Sequence, residues 1–442
     1  MTDTIALPAG ALGATAPRGA SRNAAIGLIT LAVFSGTAAR YAISPLQELV
    51  GADLQLGDNQ IALLQGMAIA LPTALISIPL GRLVDRTNRA RLLVVLALLC
   101  AAGSLMTALA HSFASAFVAR MLVGAAVVAA QPAALSLVAD LTEPAERGRM
   151  ITLTSLGQAL GGTMAYILAG KLLAWLPGAL PAGAPWSGLA PWRLVQMLFA
   201  AAVLLPTAAL CFMREPARRE SSAGASARLG TALRALWGYR RFLLPLTAGM
   251  VTVGMADAAA AIWAVPVLTR TFHQSPADFG TWLGFLNLGA GMLGAVIGGV
   301  AADLGQRRRG QAGAVLGAVL GAALSIPAAL FPVMPDVAWF AVLLGALLTA
   351  GACVNIAATS AIMVIVPNQL RGVCMSLVVA VIGMTAYGIA PLLVSLSAQA
   401  FASGADLAAP LSWVGAITSV LATVAFLRAM RSATHIVAPE ST

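Results

Sequence analysis

Apolar residues fall into long unbroken runs, near 23–47, 59–80, 91–110, 114–137, 150–174, 192–213, 242–268, 279–302, 311–332, 337–364, 372–399 and 409–430. Each is near the roughly 20 residues with which an α-helix crosses the hydrocarbon core of a bilayer. The runs do not alternate with period two, so they predict helices and not the strands of a barrel. Twelve spans result, six on each side of an arginine-rich stretch. The predicted organisation is a disordered cytoplasmic tail at 1–22, an N-terminal six-helix bundle at 23–213, a cytoplasmic linker at 214–241, a C-terminal six-helix bundle at 242–430 and a cytoplasmic tail at 431–442. Small residues four apart, Gly157/Gly161, Gly291/Ala295 and Gly317/Gly321, suit close helix packing in lipid.

Composition agrees with this reading. Hydrophobic residues make up 60% of the chain, charged residues 10%, and the mean hydropathy is +0.89, which a soluble domain of this size could not carry without a large apolar surface. Twenty-one of the 26 basic residues fall on the side of the N-terminus, whereas Asp53, Asp58, Asp278, Asp336 and Asp406 fall in the opposite loops. The positive-inside rule then puts both termini in the cytoplasm of a multi-pass cell (inner) membrane protein. The net charge of +10 reports this topology, because 214–241 is too short and too rich in small residues to be a nucleic-acid-binding domain. The N-terminal segment lacks the features of a cleavable signal.

Enzyme classes find no support. The four cysteines lie inside predicted helices without pairing or metal spacing, and His111, His273 and His435 are scattered, so no metal site is expected. There is no phosphate-binding Gly-x-x-x-x-Gly-Lys loop and only one lysine, Lys171, so no cofactor is expected and energy must come from gradients.

Two stretches 218 residues apart are nearly alike: GRLVDRTNRAR from Gly81 to Arg91 and GVAADLGQRRR from Gly299 to Arg309. Gly81 matches Gly299 and Asp85 matches Asp303, while Leu304 stands where the first copy has Arg86. Internal repeats mark many transporter folds. The motif resembles the loop signature between helices 2 and 3 of the major facilitator superfamily and its weaker echo between helices 8 and 9. That resemblance implies twelve helices in two pseudo-symmetric six-helix bundles. Asp140, Glu143, Glu146, Arg147 and Arg149 supply partners of both signs in the next cytoplasmic loop, and Arg371-Gly372 keeps the corresponding step in the second half. Gly81, Asp85, Arg86, Arg89, Asp140, Glu143, Arg147, Asp303 and Arg371 are therefore expected to form a cytoplasmic gate; the alternative is that these charges serve topology alone.

A closer resemblance runs from Ala39 to Arg86, ARYAISPLQELVGADLQLGDNQIALLQGMAIALPTALISIPLGRLVDR, with Arg120-x-x-x-Gly124, Pro132 to Asp140, Pro191-Trp192-Arg193, and Trp263 with Pro266. These resemble the Spinster-like branch, whose members carry lysolipids and sphingoid phosphates. The branch has an Asp-Arg pair in helix 1 and a glutamate in helix 4. Here Ala39 precedes Arg40, and Val127 or Val128 stands at the glutamate position.

Within the spans, Arg40, Arg120 and Asp257 are the charges placed deepest. A charge in a bilayer costs several kcal/mol unless it meets water or a partner, so each is a functional candidate. Arg40 and Asp257 are 217 residues apart, one short of the repeat offset, which predicts pseudo-equivalent places on helices 1 and 7. Arg40 is expected to grip an anionic substrate by a forked contact and Asp257 to release it by competing for the arginine or by taking a proton. A permanent structural pair is the alternative. Arg120 is expected to snorkel or to bond backbone carbonyls. Gln65, Gln131, Gln158, Asn287 and Asn355 with Tyr166 and Tyr387 outline the predicted cavity, or serve as interhelical glue. Trp263, Trp282 and Phe285 are expected in the lipid belt.

The expected function is secondary active transport, by alternating access, of a small organic or amphipathic anion, lysolipid-like ones included. A proton-coupled exporter of drugs or organic cations is one alternative, and a non-transporting membrane receptor or scaffold on the same fold is another. Expected partners are a small-molecule substrate, the lipid bilayer and protons as coupling ion, with no nucleic acid, and the chain is expected to work as a monomer.

Overall fold

The computed structural model describes residues 19–179, 188–216, 229–401 and 406–434, with backbone alone at 19–21, 77–82, 85, 86 and 229. Residues 1–18 and 435–442 of the tails and 217–228 of the linker lie outside them. The described residues are helical nearly throughout: α1 (Gly19–Tyr41), α2 (Gln47–Leu54), α3 (Asp58–Ala62), α4 (Ala68–Arg86), α5 (Arg89–Ala108), α6 (Phe113–Leu141), α7 (Pro144–Ala179) and α8 (Pro191–Leu210) in the first half. The second half holds α9 (Leu229–Trp237), α10 (Arg240–Arg270), α11 (Pro276–Arg309), α12 (Leu316–Ala328), α13 (Val337–Ile365), α14 (Asn368–Ile382), α15 (Gly388–Phe401) and α16 (Ala408–Ala433).

Eleven stretches are long and apolar enough to cross a membrane, one of them the 58 residues Pro276–Val333. As a single helix this would be about 87 Å long, far beyond a bilayer. It is two crossings. Gly310, at φ +63 and ψ −150, takes a positive-φ conformation open to glycine where α11 ends, and a methyl on Gly305 would strike the Gly313 carbonyl where the chain folds back. Twelve crossings follow, in two pseudo-symmetric six-helix bundles.

Helix ends alternate between two faces. One carries Arg89, Asp140, Arg307–Arg309 and Arg371, and is called the arginine-rich end; the other carries Glu48, Asp53, Asp58, Asp278 and Asp336, and is called the acidic end. The predicted spans hold with shifted borders. Helix α1 starts at Gly19, inside the stretch expected to be a disordered tail, and Arg22 pairs there with Glu146 at 3.0 Å. It stops at Tyr41, and a turn leads to the separate α2, so the run 23–47 is not one helix. The linker is helical at α9, and α16 runs on to Ala433.

Packing differs between the ends. At the arginine-rich end the buried cores stay within one half: Ile26, Ile29, Leu137 and Val138 in the first, Phe242, Leu246, Ile362 and Phe426 in the second. Toward the acidic end, Ala62 and Tyr166 of the first half join Trp263, Phe279 and Phe340 of the second in a shared core. Glycines permit the tightest crossings. Gly161 of α7 faces the Phe34 backbone of α1, and an added methyl would strike the Phe34 carbonyl. Gly161→Val is expected to cost about 1–3 kcal/mol, read as a lower unfolding temperature of the purified protein.

Candidate functional site

Two π-helical turns interrupt the crossings that face each other between the halves. Leu63–Met67 lies between α3 and α4, and Gly383–Tyr387 between α14 and α15. Each inserts a residue into the helical ladder, which re-aims the side chains beyond it. They meet directly: a methyl on Gly66 would strike the Tyr387 carbonyl, and Gly388 lies against Met67. Below this contact a cavity of about 370 Å³ opens between the halves. Such volumes suit small organic ligands.

Arg40 and Tyr41 reach the cavity from the end of α1, Thr73 from α4, Asp257 from α10, Asn355 from α13, and Tyr387 from the second π turn. Ile69, Val128, Met250, Val253, Val354 and Ile382 make the rest of the wall apolar. The offset that paired Arg40 with Asp257 thus brought two cavity residues together. They are not an ion pair: among the described residues neither makes a salt bridge within 4.0 Å. Arg40 instead lies over the Tyr41 ring, 5.2 Å from its centroid. The Asp257 carboxylate rests against Gly351 of α13, in space that a methyl there would fill, and its Oδ1 is buried with no hydrogen-bond partner. An arginine and a carboxyl group therefore share a largely apolar chamber without bonding to each other.

The other predicted residues divide. Arg120 is buried and does not snorkel; its Nη2 donates to the Arg40 carbonyl at 3.0 Å, bracing the end of α1. Gln131 lines a separate small pocket inside the first bundle with Thr37 and Cys100. Tyr166 is in the shared core at the acidic end, and the Asn287 amide donates to the Leu283 carbonyl of its own helix at 2.8 Å. Neither these two nor Gln158 lines the cavity. Trp263 corrects the lipid-belt expectation, because it is fully buried and donates to the Pro391 carbonyl at 2.9 Å. Phe285 is exposed as expected of that belt.

At the arginine-rich end, the side chains of Gly81, Asp85 and Arg86 lie outside the described ones. Arg89 is 4% exposed and is gripped by Asp140 and Glu215 (Nε to Oε1 2.9 Å) and by the Ser136 hydroxyl at 2.8 Å. Glu215 also accepts from the Ala90 amide at 2.8 Å. These bonds lie within the first half, where they tie α5 to the end of α6 and to the segment after α8. Glu143 and Asp303 are exposed, Arg147 is half-buried, and Arg371 donates to the Val366 carbonyl at 2.9 Å.

Among the described residues, the side-chain bonds that cross between the halves lie toward the acidic end. Arg270, the last residue of α10, holds both Glu48 and Asp58, Gln47 donates to the Ile262 carbonyl at 2.7 Å, and Asn59 donates to Gln399 at 3.1 Å. Nearby, within the first half, Arg193 binds Asp53 at 2.8 Å and the carbonyls of Ala108 and Ala110 at 2.7 Å each. Sequence reasoning passed over Arg270, Glu215 and Tyr41. Arg270 stands at a helix end and Glu215 in the segment after α8, where a charge looks like a topology signal, and Tyr41 was overshadowed by its charged neighbour.

Two six-helix bundles closing on a chamber with fixed charges define a multi-pass membrane transporter. The sequence profile described as "Major Facilitator Superfamily" matches residues 29–391, and the chain belongs to that superfamily. Solved structures resemble it over nearly their whole length. A bacterial homologue of the human lysosomal transporter Spinster, inward-facing and unoccupied, superposes with a TM-score of 0.78 at 20% identity, covering 94% of this chain and 98% of that one. The occupied inward-facing form gives 0.79, with 93% and 97% covered at 20% identity. A nucleoside transporter gives 0.73 at 11% identity, with 92% and 99% covered. Sequence relatives match over shorter stretches. A probable 4-methylmuconolactone transporter of Cupriavidus pinatubonensis is 32% identical over 119 residues, 27% of this chain and 28% of that protein. A 3-(3-hydroxy-phenyl)propionate transporter of Escherichia coli is 36% identical over 112 residues, 25% of this chain and 27% of that protein. The match thus spans little more than a quarter of either relative.

Proposed function

We propose that the protein carries a small organic carboxylate across the membrane by alternating access, with Arg40 as the anion anchor and Asp257 as its counterpart. The observation that carries this reading is an arginine from one half and a carboxyl group from the other in one cavity, not bonded to each other. A guanidinium freed from its acid can fork onto a carboxylate. The apolar walls suit a compact hydrocarbon body, and a cavity of about 370 Å³ favours a molecule of roughly monocyclic size. A phenylpropionate of the kind named for the Escherichia coli relative has that chemistry: one carboxylate and one small ring. A lysolipid would have to leave much of its tail outside.

Asp257 is the protonatable group on the wall, so a coupling proton would be taken there, beside the substrate. The arginine-rich end faces the cytoplasm under the positive-inside rule, in a cell (inner) membrane, with both termini inside and the chain working as a monomer. Drug or organic-cation export is the second reading. It is favoured by the unpartnered Oδ1 of Asp257, which would then hold the cation.

Thermal stability of the detergent-purified protein separates the two readings. Benzoate, 3-phenylpropionate, a lysophospholipid and a quaternary ammonium compound are titrated; a ligand at about 100 times its Kd adds about 2.7 kcal/mol. Stabilisation by the small carboxylates is the expected result. Stabilisation by the ammonium compound alone, lost in Asp257→Asn, overturns the anion reading in favour of the cation one.

A further inference from the structure

We infer that Arg270, held by Glu48 and Asp58, is the electrostatic latch between the two halves, and that it closes the end opposite the loop motif rich in charge. Arg270 ends α10 of the second half, whereas Glu48 on α2 and Asp58 on α3 belong to the first. Its Nε and Nη2 donate to Glu48 Oε2 and Oε1 at 2.9 and 3.0 Å, and its Nη1 and Nη2 donate to Asp58 Oδ2 and Oδ1 at 3.0 and 2.7 Å. Two forked carboxylate contacts engage all three guanidinium nitrogens, the bonding with the greatest geometric demand. A small displacement of α10 relative to α2 and α3 breaks both forks together.

Burial marks the cluster as reversible. Arg270, Glu48 and Asp58 are 33%, 24% and 18% exposed, so water can take over their bonds as they part. Arg89, at 4%, has no such relief and acts as a rivet within one half. Two uncharged bonds flank the latch: that of Asn59 to Gln399 is exposed to water, which can replace it, and that of Gln47 to Ile262 is buried.

The other seam is built differently. Along α7 and α11, methyls on Gly170, Gly280 and Gly284 would strike the carbonyls of Pro276, Tyr166 and Thr163. That is backbone against backbone, with no ion pair to release. The molecule thus has one seam held by backbone contacts at glycines, about which the halves can rock, and one where the ions of the latch add to the Gly66–Tyr387 contact and can be released. Among the described side chains at the arginine-rich end, Arg89 with Asp140 and Glu215, and Arg22 with Glu146, each stay within the first half.

The test uses the full chain in proteoliposomes, with Cys211→Ala to remove the exposed thiol and Asn355→Cys as a reporter on the cavity wall. A membrane-impermeant maleimide is applied from the acidic-end side, and the readout needs no substrate, so it stands apart from the choice of solute. In Arg270→Gln the labelling rate is expected to rise about tenfold. Combining Arg270→Glu with Glu48→Arg re-forms a bond across the seam and is expected to bring the rate back within about twofold of the parent. Parental labelling in Arg270→Gln, or a swap that labels as fast as Arg270→Glu alone, overturns the latch. Should Arg270→Gln not fold, Glu48→Gln and Asp58→Asn each remove one fork and leave the other. A rise in either supports the inference, and parental rates in both overturn it.

Discussion

Arg40→Ala is expected to abolish stabilisation by small carboxylates while leaving the protein folded. The argument rests on where the guanidinium lies. It borders the cavity over the Tyr41 ring, shares it with Asp257 and Asn355 among apolar walls, and among the described residues no acid bonds it. A charge-assisted forked contact in such surroundings is worth about 3 kcal/mol, a loss of affinity near 100-fold. Arg40→Lys keeps the charge but not the fork, and an intermediate loss of about tenfold is expected. Fold stability should change little, because Arg120 bonds the backbone carbonyl of Arg40, which survives both substitutions. The check is a titration of each variant with 3-phenylpropionate by calorimetry. Binding in Arg40→Ala at parental affinity would falsify the anchor role.

Arg89→Ala is expected to damage the fold instead. Removing this side chain leaves two carboxylates, Asp140 at 10% and Glu215 at 21% exposed, facing each other without their cation. Breaking a buried pair in this way costs about 3–5 kcal/mol. The expected readout is a fall in the apparent unfolding temperature together with faster hydrogen exchange at 136–140 and 213–216. Arg89→Met combined with Asp140→Asn and Glu215→Gln removes the stranded charges and should recover most of the loss. If the triple variant is no more stable than Arg89→Ala, the cost lies in packing and not in charge. Since membrane transporters often unfold irreversibly, the comparison is made at one heating rate.

These two arginines mark what could be read along the chain. Arg40 was legible because a charge inside an apolar run stands out, and because the repeat offset supplied its partner on helix 7. Arg89 was legible as part of a motif, but its second partner, Glu215, was not. It lies 126 residues away in a segment that reads as linker. Trp263 shows the opposite error, since an aromatic near the end of a span fits the lipid belt and an interhelical hydrogen bond equally well until its neighbours are known.

By itself the sequence determined the solvent of this protein, the number and rough limits of its crossings, and the presence of two related halves. These follow from terms that act locally: the cost of exposing backbone and charge to hydrocarbon, and the length needed to span it. The tertiary structure alone decided which charges meet. Arg270 finds Glu48 and Asp58 more than 200 residues away, while Arg40 and Asp257 share a cavity without pairing. No local pattern encodes either outcome, because each depends on how two separately folded bundles rest against one another.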